Sequence, residues 1–144
     1  MGYKEEMSAF GGYAIYLFIA LGFLLTSKVE QFLQLIIGFA LLYAIVFPIR
    51  TIFFKERPKK EPHHDIISKF TANTLISIHS ARSVILAVVL ISFFNFKPLL
   101  VALFALAIAL ACLSRYLLKK HRPIDIAAGL LVGFLIAAIV LTFV

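Results

Sequence analysis

The chain has 144 residues, of which 62% are hydrophobic and 15% charged, and its mean hydropathy is +1.03. Soluble domains are about 45–50% apolar and about 25% charged, so these values exclude a soluble globular domain, a disordered chain, a coiled coil and a separate extramembrane domain. Lys and Arg outnumber Asp and Glu by 14 to 7, an excess that suits an anionic partner such as a lipid headgroup or an anionic substrate.

A hydrocarbon core of about 30 Å takes roughly 20 helical residues to cross. Five apolar stretches separated by polar punctuation, at residues 10–25, 31–54, 75–94, 99–118 and 123–143, predict five spanning helices. The expected fold is therefore all-α: one polytopic membrane helix bundle over residues 1–144. The segment ahead of the first stretch, Met1 to Glu6, is too acidic for a signal peptide, so the first span is expected to be retained. Gly2 opens no myristoylation motif, because Glu6 stands where Ser or Thr is needed.

Pro48 inside the second stretch is expected to kink it or loosen its last turn. Between the second and third stretches, Ile66, Ile67 and Phe70 recur at helical spacing among polar residues, which predicts a short amphipathic helix at the interface. Pro98 and Pro123 suit the first positions of the fourth and fifth helices, where a missing N–H costs nothing. Cys112, the one cysteine, lies in an apolar run, so no internal disulfide can form. Gly129 and Gly133 form a G-x-x-x-G that predicts close helix packing within the bundle.

An arginine at the centre of a span costs roughly 2.5–3.5 kcal/mol, so ionisable groups inside spans mark function. Here they gather near the ends: Arg50 late in the second helix, His79 and Arg82 early in the third, Arg115 in the last turn of the fourth and Asp125 in the first turn of the fifth. Arg57 and His121 sit just outside. If successive helices alternate in direction, all of these ends reach one membrane face. Four arginines then face one buried acid. An anion with several acceptor oxygens answers that imbalance, and phosphate has the right shape for guanidinium forks. The ordinary alternative is that Arg50 and Arg115 snorkel to headgroups and that His79 is a hydrogen-bonded core histidine.

The most specific pattern runs from Ser114 to Asp125 and reads S-R-x5-H-x3-D. A chance match in a chain of this length is on the order of one in a thousand or less at ordinary residue frequencies. His121 and Asp125, four residues apart, are expected on one helix face, where the carboxylate accepts from one ring nitrogen and leaves the other a lone pair for attack. Upstream, Arg50 to Pro58 has the spacing basic-x6-R-P, and Ser77-Ile78-His79 opens the third helix.

In that order the three motifs resemble those of the type 2 phosphatidic acid phosphatase superfamily, integral membrane lipid phosphatases related to vanadium haloperoxidases: K-x6-R-P, P-S-G-H and S-R-x5-H-x3-D. The resemblance covers Arg50 through Asp125 and extends to helix order, although integral members usually have six spans. It implies a two-step phosphoryl transfer in which His121 is the nucleophile, Asp125 orients it and His79 protonates the leaving oxygen. Arg50, Arg57, Arg115 and the Ser77 hydroxyl would hold the phosphoryl oxygens. No cofactor and no metal is implied.

Two of the motifs depart from the family pattern. Arg50 replaces a lysine, and Ile76 and Ile78 replace the Pro and Gly of the second motif, so a branched side chain crowds the backbone where phosphate would approach. Arg82, three residues after His79 on roughly the same face, is a further candidate for a headgroup or second phosphate, or for pairing with Asp125 or Glu56. His63, His64 and Asp65 are adjacent in a loop without further ligands and are not read as a metal site. Lys55, Lys59 and Lys60 are read as a headgroup-binding face.

Of the lysines and arginines, all but Lys28 and Lys97 fall on the motif side, which by positive-inside logic makes that side cytosolic. Enzymes of the resembled family act on the extracytoplasmic or lumenal face, and that is the orientation expected in the cell membrane. The expected partners are membrane lipids and a phosphorylated lipid substrate: a polyprenyl diphosphate, phosphatidylglycerophosphate, phosphatidic acid or a lipid A phosphate. No nucleic-acid partner is expected. A lipid phosphotransferase and a non-catalytic anionic-lipid-binding protein are the alternatives.

Overall fold

The computed structural model describes residues 11–55, 66 and 73–144. Five helices follow one another within these residues: α1 (Tyr13–Leu25), α2 (Val29–Ile52), α3 (Ile78–Phe93), α4 (Pro98–Leu117) and α5 (Pro123–Phe143). The protein is an all-α helical bundle. Helices α2, α4 and α5, of 24, 20 and 21 residues, are long and apolar enough to cross a membrane, whereas α1 and α3, of 13 and 16 residues, are shorter apolar helices. At 1.5 Å per residue α3 spans about 24 Å, less than the hydrocarbon thickness.

The helix boundaries have local causes. Both prolines start helices as expected, with Pro98 opening α4 and Pro123 opening α5. α3 begins three residues later than the hydropathy suggests, because Asn73 Oδ1 accepts from the Leu75 N–H at 2.8 Å and Ser77 then supplies the N-cap. α2 runs through Pro48 to Ile52, and the Thr51 hydroxyl lies 3.0 Å from both the Phe47 and Pro48 carbonyls. Of the expected interfacial helix only Ile66 is described, helical and exposed. Ile67, Phe70, Arg57, His63, His64, Asp65 and residues 1–10 lie outside the described residues.

α3 is the centre of the bundle. It contacts all four other helices, and its residues from Ala81 to Ala87 are all buried. Its partners are wrapped round it with their outer faces apolar and exposed, as a bilayer solvent requires. The α1–α2 and α3–α4 turns meet at one end, where the Phe23 and Phe93 rings are 5.2 Å apart and Lys28 Nζ lies 5.9 Å from the Phe93 ring centre. The other ends of α2, α3, α4 and α5 therefore gather at the opposite end.

The closest helix pair is α3 and α5. A Cβ on Gly129 would lie 2.4 Å from the Ser77 carbonyl oxygen, and one on Gly133 would lie 2.7 Å from that of Ala81. The G-x-x-x-G thus packs two helices of one chain, backbone against backbone. Gly129→Ala is expected to push α5 off Ser77 and cost about 1–3 kcal/mol, the range for overpacking a tight contact. A denaturant titration in detergent should read this as a lower midpoint, whereas Gly22→Ala, where nothing lies within 4 Å, should leave it in place.

Candidate active site

Four helix ends build the polar end of the bundle. The last residues of α2 carry Arg50, which is buried and donates through Nη2 to the Ile76 carbonyl just ahead of α3. Asn73 reinforces the same junction, its Nδ2 donating to the carbonyls of Arg50 and Phe53 at 2.7 Å each. These carbonyls lie at the C-terminus of α2, where the backbone lacks helical partners. Ile76 and Ile78, in the positions where the motif has Pro and Gly, are both buried in the apolar core.

Ser77 is fully buried. Its Oγ accepts from the Ser80 N–H at 3.4 Å and the Ser80 hydroxyl at 2.9 Å, and its own N–H donates to the Asp125 carbonyl at 3.0 Å. The residue therefore caps α3 and ties it to the first turn of α5. His79 follows in the first turn of α3, half-buried, with Arg82 Nη2 3.4 Å from its Nδ1. Arginine can only donate, so this contact places the N–H of a neutral His79 ring on Nε2.

At the end of α4 the chain turns through Lys119, whose φ of 54° is left-handed. The N–H groups of Lys120 and His121 both reach back to the Arg115 carbonyl, at 3.1 and 3.4 Å. The turn delivers His121, which is buried, ahead of α5. Its Nδ1 lies 3.1 Å from the Thr74 carbonyl oxygen and 3.1 Å from the Thr74 hydroxyl. A carbonyl only accepts, so Nδ1 carries the proton and the ring's lone pair is on Nε2.

Asp125, at the third position of α5, is also buried. Its Oδ2 accepts from the Arg122 N–H at 3.1 Å and the Thr74 hydroxyl at 3.0 Å, and Oδ1 pairs with Lys55 Nζ at 3.1 Å. These bonds amend the expected same-face geometry of His121 and Asp125. Four-residue spacing aligns side chains only within a helix, and α5 starts at Pro123, two residues after His121. Thr74 stands between the two, with its hydroxyl in reach of both. Lys55, read from sequence as a headgroup contact, is instead the partner of the buried acid, with its side chain only 33% exposed.

Among the sequence candidates, the structure thus brings Arg50, Ser77, His79, Arg82, Arg115, His121 and Asp125 to one end of the bundle. Arg82 and Arg115 are buried. Arg82 reaches the Tyr43 hydroxyl and His79 Nδ1, each at 3.4 Å, and its Nε has no hydrogen-bond partner among the described residues. Asp125 does not serve it. Thr74, Asn73 and Lys55 are the site residues that the sequence reading missed. Asn73 carries a weak signal, since Asn shortly before a Ser N-cap is turn chemistry, but nothing marks Thr74.

A family model, that of the PAP2 superfamily, matches residues 31–144, which include all three motifs. The chain belongs to the PAP2 superfamily. No curated protein and no solved structure matches it. As a PAP2 chain it is a helical membrane protein of a phosphatase superfamily, and the match contains α3 to α5 whole, with all but the first residues of α2. Of the PAP2 motif positions only Arg57 and its neighbours lie outside the described residues.

The junction held by Asn73 is directly testable. Asn73→Ala removes three hydrogen bonds, one buried and two partly buried, and strands two carbonyls at the end of α2, where each unsatisfied buried group costs about 1–3 kcal/mol. A stability loss of about 2–4 kcal/mol is expected in a detergent unfolding titration. Asn73→Asp, which loses both donors and keeps the Leu75 acceptor, should recover little of it.

Proposed function

We propose that the protein is a membrane-embedded lipid phosphatase that removes a phosphate from a lipid phosphomonoester or diphosphate through a phosphohistidine intermediate. The observation that carries this reading is the His121 Nδ1 contact with the Thr74 carbonyl, which puts a nucleophilic lone pair on Nε2 at the end of the bundle where the buried arginines gather. Substrates such as polyprenyl diphosphate, phosphatidylglycerophosphate, phosphatidic acid and a lipid A phosphate share that chemistry.

In the first step His121 Nε2 attacks phosphorus and the bond to the leaving oxygen breaks, with His79, protonated on both ring nitrogens once the anionic substrate is bound, giving its Nε2 proton to that oxygen and returning to the neutral ring. Positive charge arises on the His121 ring as the nitrogen–phosphorus bond forms. The Thr74 carbonyl accepts the Nδ1 proton throughout, and the Thr74 hydroxyl links the ring to the Asp125 carboxylate, a stronger acceptor than the Lys120 carbonyl also in its reach. Asp125 thus acts as a positioning residue, one hydrogen bond removed from the ring. In the second step water attacks the phosphohistidine, His79 takes its proton, phosphate leaves and His121 regains its lone pair.

Arg115 and Arg50 hold the equatorial oxygens, where charge spreads in the transition state, and Arg57 is assigned the same role from its motif position. Ser77 contributes by capping the helix that carries His79. Arg82, whose Nη2 lies beside His79 and whose Nε has no partner among the described residues, takes a further oxygen of the headgroup. In this low-dielectric setting fixed donors are worth more than in water and need no reorganisation.

The test is phosphate release from a panel of lipid phosphates by the full chain in detergent. His121→Asn is expected to lower kcat by about a thousandfold or more, as loss of a covalent nucleophile does elsewhere. Release that survives this change would remove the proposed nucleophile. Absence of release from every lipid would favour a binding protein, and transfer to an added alcohol exceeding hydrolysis would favour a phosphotransferase. Vanadate, which adopts the five-coordinate phosphoryl geometry, should inhibit.

Thr74→Val keeps the backbone acceptor for Nδ1 and deletes the hydroxyl link to Asp125. A hydrogen bond to a charged group is worth about 1.5–3 kcal/mol, so a loss in kcat of about 10- to 100-fold is expected with KM little changed. An equal loss in Asp125→Asn, with no further loss in the double variant, would identify the two as one relay.

A further inference from the structure

α4 packs along α3 but scarcely meets α5, although the two are joined by a tight turn. The crevice between them holds two adjoining cavities. One, of about 360 Å³, is lined by Leu117, Lys119, His121 and Arg122 together with Tyr116 and Pro123. The other, of about 400 Å³, shares Tyr116 and Pro123 and continues along α4 and α5 between Leu113 on one wall and Ile126, Ala127 and Leu130 on the other. The shared pair makes them one groove, cationic at the His121 end and apolar beyond it. Pro123 to Leu130 covers about 10 Å of α5 at 1.5 Å per residue.

A groove with this polarity fits an amphiphile with an anionic head. A hydrophobic tail in the lower part is matched to the Leu113, Ile126 and Leu130 side chains, while Lys119 and Arg122 complement the negative head beside His121. We infer that the α4–α5 crevice seats the first part of the hydrocarbon chain of the lipid phosphate whose phosphoryl group lies at His121. The lipid then reaches the site sideways from the bilayer, with Tyr116 and Pro123 at the junction of head and tail. The inference rests on the phosphate reading of the site, and it adds which helices form the lipid's path and which residues set chain selectivity.

The test uses the full chain in phosphatidylcholine nanodiscs with dodecyl phosphate carrying a photoreactive diazirine part-way along its chain. Crosslinks are expected on 112–116 of α4 and 126–130 of α5, competed by unlabelled dodecyl phosphate and not by dodecanol or butyl phosphate. Ala127 is exposed on the groove wall, so Ala127→Trp should fill the lower cavity and reduce that labelling about tenfold. Leu131→Trp, at an exposed position outside the groove, should not change it.

A parallel comparison reads turnover, where Ala127→Trp should lower kcat/KM for dodecyl phosphate about tenfold relative to butyl phosphate. Labelling on α1 or α2 instead, or labelling equally competed by dodecanol, would overturn the inference even if phosphate is released. Groove labelling without release from any lipid would leave the inference standing and overturn the catalytic reading.

Discussion

The Ser77 N–H donates to the Asp125 carbonyl, and that bond exists because Gly129 has no Cβ to hold the two backbones apart. It joins the N-terminus of α3 to the first turn of α5. His79 lies two residues beyond one end of the bond, and His121 four residues before the other. A shift of α5 by the width of a methyl group would move the second histidine relative to the first. The geometry of the candidate site is therefore a consequence of helix packing inside the membrane, where small residues supply the contact that hydrophobic collapse supplies in water.

The second constraint is the treatment of charge. Hydrocarbon offers no hydrogen bonds, so every polar group in the bundle must be met by protein or placed at its mouth. Asp125 is met in full: Lys55, Thr74 and the Arg122 N–H occupy its two oxygens. Its negative charge is consumed by Lys55 and the helix N-terminus, and it is not the counter-charge of Arg82. Arg82 is left with a tyrosine, a histidine and a buried Nε that has no partner among the described residues.

Thr74 changes the division of labour at the site. A direct aspartate–histidine bond would fix the ring with one contact and tie its basicity to one carboxylate. Here the backbone carbonyl fixes the tautomer, and the hydroxyl passes the influence of the carboxylate through one more bond. In the proposed mechanism the tautomer is then insensitive to substitution of Asp125, while the stabilisation of charge on the ring is not. The α4–α5 turn makes this arrangement necessary, because it ends before α5 begins and leaves His121 outside the helical register of Asp125.

Composition and hydropathy alone determined a helical membrane bundle, because apolar runs of such length have no other stable form in lipid. Five helices, the proline starts of α4 and α5 and the glycine contact were legible for the same kind of reason: each depends on residues near one another in the chain. The motif residues of the site were legible as well, since their spacings follow helix ends. Tertiary structure alone decided the partners. Lys55 and Asp125 are 70 residues apart and Thr74 and His121 are 47 apart, and no local pattern encodes a hydrogen bond across that distance. The ends of α1 and α3 also moved inward, because Gly12 and Ser77 took the N-cap positions at which the apolar pattern is silent.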